Sequence, residues 1–422
     1  MIAVRFGRRA GWGIADQTAS SLTNFALGIV VASQVSTASF GAFSLAFVTY
    51  LLVLNLGRAV VSLPLMIRYS AVSGGRWALG VSRGVGVALL VGTVAAVVCL
   101  PIGVALGGET GASLIGLSVV LPALMAQDAW RFGFFAANRG RDAFVNDAAW
   151  AAVLGVGFVV AVTAGVTEPS TYIVLWGLGA AAGSVLGVVQ SRLLPQPTAV
   201  RSWWAEHADL IPRFSAESIA RMGGTQLTYY AIGVIGGLVV VGTLRAAELI
   251  LGPFNILFQG VHLVALPEAV RLLKESESAL VRWARLLSGA MVVAAMAFGA
   301  VCLALPDAVG VRLLGDSWMA ARTVLPPLIL AVAGMVAGAG AGVGLRALAA
   351  ADRLLRVAVV TSVATFGAAT AGVIIGNGIG AAWGMCVGAW IGAAWSWLEL
   401  RWAVRRGWML SGADEGGQPA AG

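Results

Sequence analysis

The chain has 422 residues, of which 59% are hydrophobic and only 11% charged, against roughly 25% charged in a soluble domain. Its formal net charge is +8, carried almost wholly by Arg, with Lys274 the one Lys. This balance sets aside most soluble enzymes, and with no basic stripe interleaved with aromatics outside the apolar runs it also argues against a nucleic-acid partner.

Apolar runs alternate with short Arg-bearing connectors along the whole chain, and each run is about the 20 residues needed to cross a bilayer's hydrocarbon core. An all-α integral membrane protein of about twelve transmembrane helices is expected. The chain opens on Arg5, Arg8 and Arg9, followed by a first span predicted near 13–33. No small-residue cleavage site follows it, so it reads as a retained span, not a removed signal. Within it, Gln17, Ser20, Ser21 and Asn24 share one helical face. That face is expected to line a water-filled cleft, with Gln17 and Asn24 as cargo contacts. Asp16 beside it has three readings: a partner for Arg58, a coupling-cation ligand, or a carboxylate at the membrane surface.

The second span, near 38–62, carries Arg58 late in its length. An ionisable side chain in the hydrocarbon costs about 2.5–3.5 kcal/mol on insertion scales, so it faces protein, water or a partner. Arg58 reads either as a cationic donor to a phosphate group or as an Arg paired with a carboxylate. Spans three and four follow near 81–105 and 112–136; Asp128 and Arg131 in the latter are three apart and are expected to pair with each other, with proton coupling as the other use of Asp128. Spans five and six lie near 144–165 and 171–193, with Asp147 a partner for Arg139 or Arg141.

The polar stretch 194–214 divides the chain. Trp203 and Trp204 beside Arg201 suit a short helix lying at the membrane interface. Six more spans are predicted near 215–237, 242–266, 284–305, 323–348, 354–376 and 379–400, and the tail 407–422 is expected to be disordered. Arg221 and Arg245 are further candidates to bind an anionic cargo, although Glu217 and Glu248 stand at helical spacing to pair with them. The domains expected are therefore a bundle over 1–193, a linker over 194–214 and a second bundle over 215–406.

Basic residues fall on alternate connectors. One set holds Arg68, Arg76, Arg83, Arg139, Arg141, Arg201, Arg213, Arg271, Lys274, Arg346, Arg353 and others; the opposite set holds only Arg312 and Arg322 among Glu109, Glu168, Asp307 and Asp316. Both termini are then expected in the cytoplasm. The cysteines Cys99, Cys302 and Cys386 all lie in apolar runs, and with His207 and His262 the only histidines no metal site is indicated. The glycines of 334–344 lack a following Lys-Ser/Thr and read as helix packing, not a phosphate loop. No cofactor is expected, and energy would come from an ion gradient, the membrane potential or the cargo gradient.

The halves repeat. Leu22–Gly28 matches Leu227–Gly233, Leu63-Pro64 matches Leu266-Pro267, Cys99-Leu100 matches Cys302-Leu303, and Ala136–Arg139 matches Ala350–Arg353. The spacing lengthens between the last two matches, which locates an insertion near Gly310–Arg322. Six spans per half make the repeats parallel, an arrangement that places cargo between them in many transporters.

Ala15-Asp16-Gln17, Leu22–Phe25, Phe40–Phe43 and Leu314–Ala321 resemble segments of the multidrug/oligosaccharidyl-lipid/polysaccharide exporter superfamily, and within it the polysaccharide-biosynthesis branch. The resemblance implies two six-helix bundles that rock between inward-open and outward-open states in a bacterial cytoplasmic membrane. It implies a flippase for an undecaprenyl-diphosphate-linked glycan, working among membrane lipids with a possible coupling cation. A cation-coupled multidrug exporter of the same superfamily is the second reading. A membrane polymerase or ligase is the third, disfavoured by short external connectors without His.

Overall fold

The structure is a computed structural model that describes residues 20–70, 72 and 74–405, leaving out the side chains at 220–223, 256, 259, 260 and 262–264. Among the described residues, nine helical runs are long and apolar enough to cross a membrane. Breaks in backbone geometry at Gly237 and at Gly376–Asn377 divide two of these runs, and the helical stretch 20–34 adds one more, which makes twelve spans. The chain is thus an all-α, multi-pass membrane protein. Helices are the expected answer to a bilayer, where each backbone N–H and C=O must be satisfied within its own segment.

In chain order the elements are α1 (20–34), α2 (Thr37–Tyr69), α3 (Gly75–Leu106), α4 (Gly108–Ala136), α5 (Gly140–Thr163), α6 (Pro169–Ser191), a short α7 (Val200–His207), α8 (211–236), α9 (238–275), α10 (Glu277–Leu303), a short α11 (Asp307–Leu314), α12 (Ser317–Ala347), α13 (351–375) and α14 (378–405). The insertion expected between spans nine and ten is α11.

The helices form two compact units. The first comprises Met1–Tyr229 with Leu238–Gly242 and Ala308–Trp318; the second comprises Tyr230–Gly237, Thr243–Asp307 and Met319–Gly422. In the first unit, Trp130, Trp176, Tyr172, Phe40 and Phe134 are fully buried and fill the space between helices. Helices α3 and α4 turn on Gly107 and Gly108, both with left-handed φ that suits glycine. In the second unit, Leu280, Leu345, Leu348 and Leu400 form one cluster and Phe254, Met291 and Val336 another. Gly340 there lies against the backbone of Ala284, so the glycines of 334–344 serve close helix approach. The three cysteines are buried.

Each half repeats a turn. After α4, the N–H groups of Ala137, Asn138 and Arg139 reach the carbonyls of Gly133, Phe135 and Phe134; after α12, those of Leu348, Ala349 and Ala350 reach Gly344, Arg346 and Leu345. Asn138 and Ala349 both take a left-handed φ. The structural register therefore pairs Arg139 with Ala350, and the sequence match of Arg139 to Arg353 is three residues out of step.

Candidate functional site

The site in the first unit begins with a distortion of α2. Residues Arg58–Ser62 form a π-helical turn, in which the N–H of Leu63 reaches the carbonyl of Arg58. Such wide turns often sit at functional positions. Pro64 has no N–H to give to the carbonyl of Val60, four residues back. That carbonyl instead accepts from the indole N–H of Trp203 at 3.0 Å. Trp203 was expected at the membrane interface with Trp204. The helix α7 forms where predicted, but Trp203 is fully buried while Trp204 is exposed, because the orphaned carbonyl in α2 draws the indole inward.

Arg58, at the start of the wide turn, binds Asp128 of α4. Its Nε lies 3.1 and 3.2 Å from the two carboxylate oxygens and its Nη2 lies 2.6 Å from Oδ1. Ser62, one turn on, donates to Asp128 Oδ2 at 3.3 Å. The guanidinium also stands over the Phe132 ring at 5.3 Å. The Arg58 side chain retains 33% of its surface accessible, against 10% for Asp128. Of its nitrogens, Nε and Nη2 are committed to Asp128, in the bidentate geometry that guanidinium offers a carboxylate.

Arg131, the expected neighbour of Asp128 on α4, reaches Asp147 of α5 at 3.4 Å. The π turn lies where Arg58 reaches Asp128 with a two-point fit from a different helix. Asp147, expected to meet Arg139 or Arg141, also accepts from Gln127 at 2.7 Å. Arg139 turns to Asp142 and to the carbonyl of Gln190. Asn146 donates to the carbonyl of Gly183 at 2.7 Å and to Gln190 at 3.2 Å. A continuous polar network thus ties α4, α5 and α6 inside the apolar unit.

Of the other candidates, Asn24 is half-buried and its Oδ1 is enclosed with no hydrogen-bond partner among the described residues. Asp16 and Gln17 lie outside the described residues, as does the Arg221 side chain. In the second unit, Arg245 pairs with Glu248 at 2.8 Å, three residues away on α9. Sequence reasoning missed the strongest ion pair there: Arg353 of α13 and Glu399 of α14, 2.7 Å apart and only 3% and 0% accessible, with Arg356 at 3.6 Å. Their separation of 46 residues leaves no periodic signal. It also missed the cluster of Arg68, Arg83, Glu206 and His207 where α7 meets α2 and α3.

No protein-family model matches the chain, and no curated protein matches it in sequence. Solved structures do match. Lipid II flippase MurJ in an inward closed conformation superposes with a TM-score of 0.71 at 12% identity, over 92% of this chain and 87% of that one. An inward-facing multidrug resistance MATE family transporter of the MOP superfamily gives 0.59 at 14% identity, over 92% and 95%. A MOP superfamily transporter from Pyrococcus furiosus, described as having a binding pocket of reverse polarity, gives 0.54 at 12% identity, over 95% of each chain. These likenesses show the fold: a twelve-helix architecture shared with these transporter structures.

Proposed function

We propose that the protein is a membrane transporter of this superfamily, and within it a flippase that carries a lipid-linked oligosaccharide or polysaccharide precursor across a bacterial cytoplasmic membrane by alternating access. The observation that carries this reading is Arg58: a cationic side chain within a span, held by Asp128 at two points while one-third of the side chain stays accessible. A lipid diphosphate is an anion that arrives with its tail in the membrane. Arg58 would receive it, while Asp128 holds the guanidinium in place before and after. The likeness to a lipid II flippase, at a TM-score of 0.71, supports the same direction. Arg245 and Arg221 are secondary contacts, with Asn24 of α1 and Gln17 as hydrogen-bonding groups. Asp16 and Asp128 are the carboxylates proposed for a coupling cation or proton. The distribution of basic residues along the chain supports cytoplasmic termini.

The competing reading is a cation-coupled multidrug exporter, favoured by a carboxylate, Asp128, and an aromatic ring, Phe132, that both lie against Arg58 at the same wide turn. One experiment separates the two. Proteoliposomes holding the full chain and a fluorescent undecaprenyl-diphosphate sugar should move the label between leaflets, and Arg58→Ala should slow this at least tenfold. Efflux of organic cations by the intact protein, with no movement of the glycan lipid, favours the exporter.

A further inference from the structure

At the Arg-rich end of the first unit, a cavity of about 340 Å³ opens between α2, α3 and α7, lined by Arg68, Tyr69, Arg76, Arg83, Glu206 and His207. Two of its three guanidinium groups already have partners. Arg68 meets both oxygens of Asp209 at 2.7 Å, and Arg83 meets Glu206 at 2.6 Å. Arg76, exposed in the first turn of α3, makes no ion pair among the described residues. Three arginines against two carboxylates leave one positive charge in excess.

His207 lies deeper. Its Nδ1 is 2.8 Å from the carbonyl of Trp203, so that nitrogen carries the donated proton. Its Nε2 is buried and has no partner among the described residues. A buried polar atom left unmade costs about 1–3 kcal/mol, and such an orphan within a cavity signals a ligand group that supplies the missing bond. The neutral ring can only accept there, whereas a protonated ring donates. The charged and titratable groups around it are Arg68 and Tyr69 of α2, Arg76 and Arg83 of α3, Glu206 of α7, and Asp209. An anion entering this cavity would meet both unmet needs, one at Arg76 and one at a protonated Nε2.

We propose that this cavity binds the phosphate of an anionic phospholipid head group, held by Arg76 and Arg83 with the Nε2–H of His207 beneath it. The cavity is sized for a head group, not for a glycan chain. Leu79 in its wall is 44% accessible, and Ile67, next to Arg68 on α2, is 55% accessible, surfaces against which acyl chains can lie. Basic pockets between spans at the cytoplasmic face recognise lipid phosphates in this way. Binding takes up a proton at His207, so it tightens as pH falls. The site stands independently of any cargo at Arg58.

Native mass spectrometry of the full chain in detergent, with added dioleoyl phosphatidylglycerol or dioleoyl phosphatidylcholine, tests this. Phosphatidylglycerol adducts should exceed phosphatidylcholine adducts and increase from pH 8 to pH 6. Arg76→Gln, at an exposed position that the fold does not depend on, should lower retention about tenfold, the loss expected for one charge-assisted contact; Arg76→Lys should keep most of it. Inorganic pyrophosphate that displaces the lipid assigns the recognition to phosphate itself; failure to displace it assigns a share to the acyl chains. Retention that ignores the Arg76→Gln change, ignores lipid charge, or stays flat between pH 8 and pH 6 overturns the proposal.

Discussion

Two hairpins, α5–α6 and α13–α14, carry the same spacing of glycines and use it in opposite ways. On α6, Gly179, Gly183 and Gly187 stand four residues apart and receive large side chains: Trp150 at the first, Asn146 and Gln127 at the second, Trp130 at the third. On α14, Gly380, Gly384, Gly388 and Gly392 receive the backbone or short side chains of α13, at Gly372, Ala368, Thr365 and Thr361. One set of notches seats bulky groups from neighbouring helices; the other lets two helix backbones touch. The glycine pattern states only that something approaches closely, and the facing residues decide what. Charge follows the same division. In α13–α14 the buried pair Arg353–Glu399 locks the hairpin to itself. In α5–α6 the carboxylate Asp147 faces α4, and the hairpin is joined by the amide of Asn146.

This comparison can be broken by measurement. Unfolding is read with a thiol-reactive dye, since Cys99, Cys302 and Cys386 are all buried. The largest loss is expected from Glu399→Ala, which leaves Arg353 buried without its carboxylate and should cost about 3–5 kcal/mol. Asn146→Ala removes only neutral hydrogen bonds and should cost about 1–3 kcal/mol; equal losses would erase the distinction between a charge-locked and an amide-joined hairpin. Next come the glycines. Gly384→Ala drives a methyl into the carbonyl of Ala368 and should cost about 1–3 kcal/mol. Gly183→Ala meets Asn146 Oδ1 and Gln127 Cγ at 3.0 Å, a smaller overlap than at Gly384, and should cost less. Trp150→Phe loses the indole bond to the carbonyl of Trp176, 3.0 Å long, for about 1 kcal/mol.

The smallest effect is expected outside both hairpins. Burial holds the His207 imidazole below its ordinary value. The unfolded chain therefore takes up the proton first as pH falls. With no anionic lipid present, the stabilisation is complete above the ordinary value of about 6.5 and declines below it. The dye midpoint should drop slightly from pH 7.5 to pH 5.5, and His207→Asn should flatten that slope. A rise in the midpoint over this interval would mean that the folded protein, not the unfolded chain, holds the proton more tightly.

Much of the fold was legible because span length is a local property. Each apolar run from 38–62 onward has its helix, with limits up to nine residues from the predicted ones, and the lengthened repeat spacing pointed to α11. The pairing of charges was not legible in the same way. Asp128 and Arg131 offered themselves as neighbours by helical spacing, but the two-point contact to Asp128 comes from Arg58, 70 residues earlier. Nothing in the run Gly57–Leu63 announces a π turn except Pro64, whose missing donor could have raised the question of what satisfies Val60. Likewise, the four-residue step from Trp203 to His207 showed one helical face, yet only the packing of α7 against Tyr69 and Arg83 made it part of a cavity.

The wide turn in α2 holds one residue more than an α-helical turn would. One residue corresponds to about 100° of rotation, so the part of α2 beyond Ser62 is dialled round by more than a quarter circle relative to the part before it. Thr37–Gly57 and Leu63–Tyr69 therefore aim their side chains by different compasses. Deleting a single amino acid between 58 and 62 would leave composition and hydropathy nearly untouched while swinging Arg68 away from Asp209 and Tyr69 away from Trp203. Length polymorphism at this spot should be rarer among natural variants than substitution.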